Sequence, residues 1–271
     1  MSIAQAAHDS IGASGRDVEI EVAVLGPAEL RGVAVLFTRS AALDLVVYLA
    51  MHPAGVANET WATALWPDRL MAPATLHSTA SAARRSLGRS AAGFDHLPRS
   101  HGRLRLGPGV TTDWRRFEAL AGSSDPVAWS IALDLVRGRP FDGLRCAEWT
   151  VLEGLAAQVE DHVAELAGRL SDRLLEAGRP ARAAAAARRG LLASPYDERL
   201  YRRLLVCADV QGHPAGVERV MAELLAQLDG DAVKRPTGAF DLAVVHPETA
   251  ALYERLSRRP QRGSGGPPPR Q

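Results

Sequence analysis

The residues best suited to recognition chemistry are concentrated between positions 73 and 107. Arg84, Arg85, Arg89, Arg99, Arg103 and Arg105 fall there, against Asp95 alone. Among them stand His77 and the short hydroxyl side chains Thr75, Ser78 and Ser81. A guanidinium presents a planar fork of N–H donors that matches phosphate oxygens and the major-groove edge of guanine. Short hydroxyls let the backbone that carries them come close to a surface. This is the chemistry of holding a polyanion, with no bond made or broken.

Those side chains need elements to aim them. At about 100° per residue, Leu76, Ala80, Ala83 and Leu87 share one face of a helix over 73–88. Ser78, Ser81 and Arg85 lie opposite, His77 and Arg84 lie on the flank, and the outward face carries no carboxylate. Residues 94–99 and 103–106 predict the arms of a hairpin, with Ser100, His101 and Gly102 at the bend. Arg103 and Arg105 alternate with Leu104 and Leu106, so both arginines share one strand face. A helix and an adjacent hairpin of one charge sign is the footprint of a winged-helix DNA reader. In that arrangement the third helix enters the major groove and the hairpin lies along the backbone or minor groove. A solvated helix face that merely carries arginine is the simpler reading of the same charges. The candidate DNA contacts are Arg39, Thr75, His77, Ser78, Ser81, Arg84, Arg85, Arg99, Arg103 and Arg105.

Upstream, residues 18–24 alternate apolar and polar, the period of a half-buried strand, and 28–31 and 33–37 predict two more short strands. Thr38 is placed to cap a helix over 39–52, with Leu43, Val46, Val47 and Ala50 at helical spacing. Asn58 is placed to cap a second helix over 59–65, stopped by Pro67. Trp61 and Trp66 fit inter-helix packing. The fold class is mainly α, with an N-terminal winged-helix domain (18–112) followed by an all-α domain (113–257). A flexible arm (1–17) and a Gly-, Pro- and Arg-rich tail (258–271) flank them.

From residue 112 onward the patterns are helical: 117–121, 125–136, one long helix over 147–177, then 180–193, 197–210, 214–228 and 247–256. An internal repeat runs through them. Gly178 recurs as Gly212, an offset of 34 residues. At that offset Leu170 matches Leu204, Leu174 matches Ala208 and Ala183 matches Val217. This is the period of tetratricopeptide helix pairs, with Gly178, Ala183, Gly190 and Pro195 at the small-residue and closing positions. Such repeats stack into arrays that bind other chains.

Composition bounds the alternatives. The chain has 271 residues, 46% hydrophobic and 23% charged, with a formal net charge of +1. That describes globular bulk in which clustering, rather than net charge, carries the nucleic-acid signal. Lys234 is the only lysine. Cys146 and Cys207 stand far apart in apolar helical contexts and read as buried free thiols, with no zinc spacing and no metal site. The first residues lack the basic start and apolar core of a secretion signal, and no stretch has membrane-spanning length, so the expectation is a cytoplasmic protein without membrane contact. His162 and His213 are isolated, and Glu160-Asp161 and Asp197-Glu198 fit helix-surface charges. There is no GxxxxGK[ST] phosphate loop. No enzyme activity and no cofactor are expected.

In combination these segments resemble a SARP-type transcriptional activator, which joins a response-regulator-type winged helix to a tetratricopeptide-like bacterial transcriptional activation domain. Val24-Leu-Gly-Pro27 resembles the family's first-strand motif, and Leu65-Trp-Pro67 its end of the second helix. Arg84-Arg-Ser-Leu-Gly88 resembles the close of its recognition helix. Asp113-Trp-Arg-Arg-Phe117 resembles its entry to the helical domain, and Pro247-Glu-Thr-Ala-Ala-Leu-Tyr253 its closing segment. Phe37-Thr-Arg-Ser40 and Ala82-Ala83 depart from the commoner pattern. The resemblance implies binding to double-stranded promoter DNA and recruitment of RNA polymerase, with Asp68 and Arg69 in the polymerase-facing loop, and it allows a homodimer. The rival reading is an adaptor whose tetratricopeptide-like domain binds protein while the winged helix has lost DNA.

Overall fold

The computed structural model describes residues 20–33, 35, 40–99, 102–229 and 240–258. The expected arm (1–17), Arg39, the Thr38 cap and all of the expected tail except Arg258 lie outside them. Packing divides the chain into two units that interleave in sequence. One holds Met1–Arg116 and Pro140–Ala157, the other Phe117–Arg139 and Gln158–Gln271.

The first unit begins with strand β1 (Ile20–Ala23), whose Ile20 and Val22 are buried while Glu21 faces outward. It pairs antiparallel with β2 (Glu29–Arg31) and parallel with β5 (Val110–Thr112), in the order β2-β1-β5. The outward Glu21 carboxylate receives Arg31 at 3.1 Å and Arg116 at 3.0 Å. Of the expected third strand at 33–37, Val33 and Val35 are described and neither is in a strand. Three helices follow: α1 (Ser40–Met51), α2 (Asn58–Leu65) and α3 (Pro73–Leu87). α1 is buried along most of its length, including Leu45, Val46, Val47 and Leu49. The expected Asn58 cap is not made. Helix α2 begins at Asn58 after Ala57, and the Asn58 side chain instead accepts from the Trp61 indole N–H at 3.2 Å. Trp61 and Trp66 are buried, with ring centroids 6.2 Å apart.

The hairpin differs from its expected form. Strand β4 (Arg103–Leu104) pairs with β3 (Val56–Ala57), ahead of α2, and not with residues 94–99. The other arm spends its backbone groups on the end of α3. His96 N donates to Gly88 O at 3.3 Å, Ser90 N donates to Phe94 O at 2.8 Å, and Leu97 O accepts from Arg84. Pro98 has no N–H to offer a ladder. Among the described residues the arms are joined at their base, where Gly107 N donates to His96 O at 2.7 Å.

Residues 140–157 return to this unit. Ala28 N donates to Asp142 O at 2.7 Å, and Phe141 N to Val24 O at 2.9 Å. Phe141 takes φ +62°, which a non-glycine residue adopts only under constraint. That backbone bond and a buried ring edge-on to Trp149 hold it there. Arg145 donates to Leu65 O at 3.0 Å, pairs with buried Asp44 at 3.3 Å, and stacks its guanidinium 5.5 Å from the Trp66 ring centre. The short helix α6 (Glu148–Leu152) ends in a turn whose Glu153 accepts from the Tyr48 hydroxyl at 3.1 Å and meets the His52 ring at 2.9 Å.

The chain leaves the first unit within α4 (Asp113–Ala121). The second unit contains α5 (Pro126–Asp134), α7 (Leu155–Glu176, from Gln158 on), α8 (Pro180–Ala193), α9 (Glu198–Val210), α10 (Pro214–Asp229) and α11 (Pro247–Ser257). The single long helix expected over 147–177 is two, α6 and α7, broken at Gly154. Asp125 caps α5 by accepting from Val127 N at 2.9 Å. The 34-residue repeat corresponds to two helix pairs, α7–α8 and α9–α10. Their turns are made by Gly178 and Gly212, both at φ +68°, where a side chain is strained. Gly190 serves another need: a Cβ there would lie 2.6 Å from Ala167 and 2.7 Å from Leu200, so only glycine lets α8 approach α7 and α9 so closely. Ion pairs Arg203–Asp172 (2.7 Å) and Arg199–Asp161 (3.3 Å) tie α9 to α7.

Candidate nucleic-acid interface

Helix α3 starts at Pro73, which needs no N–H partner at the first position, and ends at Gly88. Its buried side is Thr79, Ala80, Ala82, Ala83, Ser86 and Leu87. The burial is rotated toward Thr79 and Ser86 relative to the expected stripe, leaving Leu76 half-buried. The Thr79 hydroxyl is satisfied within the helix, donating to Thr75 O at 2.9 Å, so its burial leaves no orphan polar group. The exposed side is a single stripe, Ala74, His77, Ser81 and Arg85, at helical spacing and without a carboxylate.

The candidate contacts therefore have unequal standing. His77, Ser81 and Arg85 are exposed on that stripe, and Thr75 and Ser78 are half-buried beside it. The Ser78 hydroxyl donates to Thr75 O at 2.9 Å. Arg84 is turned inward: its Nε donates to Leu97 O at 3.1 Å. Burial, and then the nearby charge of Arg99, hold its pKa below the usual guanidinium range, with Asp95 opposing them. Arg84 and Arg85 stand in the last turn of α3, and exposed Arg99 follows two residues after Leu97, whose carbonyl Arg84 holds. Arg89 is neutralised by Asp95 at 2.8 Å.

Arg103 of β4 and Arg105 just after it lie with the turn after α1. Arg103 donates to Gly55 O at 2.6 Å, and a Cβ on Gly55 would sit 3.1 Å from the Arg105 Cβ. Leu104 is buried and Arg103 and Arg105 are exposed, so the expected alternation holds. Asp68 and Arg69 are exposed in the α2–α3 loop beside a fully exposed Leu70. Arg39 lies outside the described residues.

A residue absent from the candidates holds this unit together. Asp113, fully buried at the start of α4, accepts from Val24 N at 2.7 Å and Leu25 N at 3.1 Å. The two segments resembling family motifs, Val24–Pro27 and Asp113–Phe117, are thus one structural device. Both were visible in the sequence, but the bond between them, across 89 positions, was not. Among the described residues no three His, Cys, Asp or Glu side chains gather as a metal site, and no helix is long and apolar enough to cross a membrane.

Comparison with known proteins adds a domain-level similarity. Residues 113–234 match the model of the bacterial transcriptional activator domain. That segment, under half of the chain, is thus similar to a bacterial transcriptional activator domain. The expected resemblance to SARP-type transcriptional activators is borne out by this domain together with the fold: a small sheet and three helices, followed by helical repeats. The match is to a family of regulators rather than of enzymes. Among solved structures, Mycobacterium tuberculosis EmbR, determined in complex with a low-affinity phosphopeptide, is similar at 24% identity and a TM-score of 0.57. The alignment covers 89% of this chain and 65% of that one. This chain thus spans under two thirds of EmbR, and the likeness is one of fold. None of the curated proteins matches the sequence. The activator-domain match begins at Asp113, the residue that holds the segment just after β1 in the first unit.

Proposed function

We propose that the chain is a sequence-specific DNA-binding transcriptional regulator, an activator that reads promoter DNA with α3 and the hairpin over 94–107. In this reading 18–112 is the DNA-binding domain. Residues 113–257 form the activation domain, whose repeats contact RNA polymerase or a second protomer, and Asp68 and Arg69 add a polymerase contact. The observation that carries the proposal is the exposed stripe of α3: His77, Ser81 and Arg85 without a carboxylate, beside Arg99. Arg85, Arg99 and Arg105 are the strongest phosphate or base contacts, because each is exposed and none has a carboxylate partner among the described residues. Arg84 and Arg103 support the surface by holding the arms that present it.

The test is fluorescence anisotropy of the full chain with DNA from upstream of its own gene and with a scrambled duplex, across a salt series. The reading expects selective binding that weakens steeply with salt, because each phosphate contact releases a counterion. Equal, weak binding to both duplexes, together with an empty genome-wide selection of bound fragments, would overturn it in favour of the protein-binding adaptor.

A further inference from the structure

The first unit contains a groove of about 540 Å³ between the C-terminal end of α1 and the segment leading into α4. Leu49, Pro53, Pro98 and Leu106 give it apolar walls, Arg105 and Arg115 line it as well, and no aspartate or glutamate does. The two cations differ from those arginines of this unit that are held in ion pairs. Arg31 and Arg116 pair with Glu21, Arg89 with Asp95 and Arg145 with Asp44. Among the described residues neither Arg105 nor Arg115 has a carboxylate within ion-pairing distance. Arg115 is directed to the groove while its neighbour Arg116 takes the Glu21 carboxylate.

Two exposed guanidinium groups lining one groove with apolar walls and no carboxylate suit a ligand that combines an anionic head with a hydrocarbon body. The volume falls in the range of small-molecule sites, about 300–1,000 Å³, which are mostly apolar with a few placed polar groups. We propose that this groove binds a small amphipathic carboxylate, its hydrocarbon body against Leu49, Pro53 and Leu106 and its head between Arg105 and Arg115. A second consequence rests on the DNA-reading proposal. Arg105 is also a candidate phosphate contact, so an occupied groove neutralises one cation of the wing and weakens DNA binding. By linkage DNA weakens the ligand by the same factor.

The full chain is titrated, without DNA, with the fluorescent probe 1-anilinonaphthalene-8-sulfonate, which is then displaced by decanoate or by decanol. Saturable one-to-one binding is expected, displaced by decanoate at least tenfold more effectively than by the uncharged alcohol. Arg115→Glu should weaken the probe at least tenfold, whereas Arg173→Glu, a charge reversal at an exposed position of α7, should leave it unchanged. Thermal unfolding of each variant checks that it is folded. Non-saturable binding, equal displacement by the alcohol, or an Arg115→Glu affinity equal to that of the unsubstituted chain overturns the proposal. The DNA titration is read separately. Probe binding with no selective DNA binding, and with an empty genome-wide selection, would sink the DNA reading and leave the groove standing. DNA binding with no probe binding would do the reverse.

Discussion

Arg84 and Arg85 are neighbours in sequence with different work. A turn of about 100° separates them on α3. That is enough to send one guanidinium to the Leu97 carbonyl and leave the other in solvent. Arg85→Ala should therefore weaken promoter binding about tenfold, lower the log–log salt slope by about one, and leave the melting temperature unchanged. Arg84→Ala should act on the fold first. Losing a charge-assisted hydrogen bond should cost about 1.5 kcal/mol in a denaturant titration. Tyr48 provides a third residue-scale expectation. Burial, with the Glu153 carboxylate beside it, pushes its phenol up to about 12 from 10. The folded chain keeps this proton where the unfolded chain gives it up. The contribution to stability is thus complete below about pH 10 and lost as pH rises through about 12. Tyr48→Phe should flatten the fall of melting temperature across that interval.

At the scale of elements, the helices were legible because their signals are local. Pro73 and Gly88 bound α3, Asp125 caps α5, and the two repeat turns carry glycine at the same offset. What could not be read was partnership across distance. The arm over 94–99 looked like half of a ladder by its composition. Only packing reveals that its backbone groups are taken by the end of α3 and that β4 pairs with β3. Asn58 was a sound cap by type, yet the Trp61 indole claimed its oxygen. Among the candidate contacts, charge and periodicity placed Ser81 and Arg85 outward, but the helix is rotated so that His77 is exposed and Ser78 half-buried. They had no means of separating Arg85 from Arg84, because the Leu97 carbonyl comes from another element. The same holds for Asp113. Its two bonds to Val24 and Leu25, just past β1, join residues 89 and 88 positions apart. Asp113→Ala should leave both N–H groups buried and unpaired, destabilising the first unit by roughly 3 kcal/mol. Thermal unfolding of the full chain would measure it.

For the whole molecule, the division of labour does not follow the order of the chain. Residues 140–157 lie inside the activator-domain match, yet they supply Phe141, Arg145, Trp149 and Glu153 to the unit that contains α3. Arg145 is the charge partner of buried Asp44, whose pKa burial raises and Arg145 pulls back down. A chain cut after residue 112 should therefore fail to give a cooperative thermal transition, having lost both Asp113 and this returning segment. A chain cut within the match but beyond residue 157 should retain more of the first unit's stability.

That returning segment also bears on synthesis. A ribosome releases the chain from its N-terminus, and domains laid out in sequence fold as each one emerges. Here β1, α1 and α2 emerge early but wait for the residues that close over them, and Asp44 stays without its arginine until position 145 has cleared the exit. Nascent chains of this protein should thus hold an unfinished apolar surface for the time needed to translate from about residue 100 to 157, which is where a chaperone would be expected to bind.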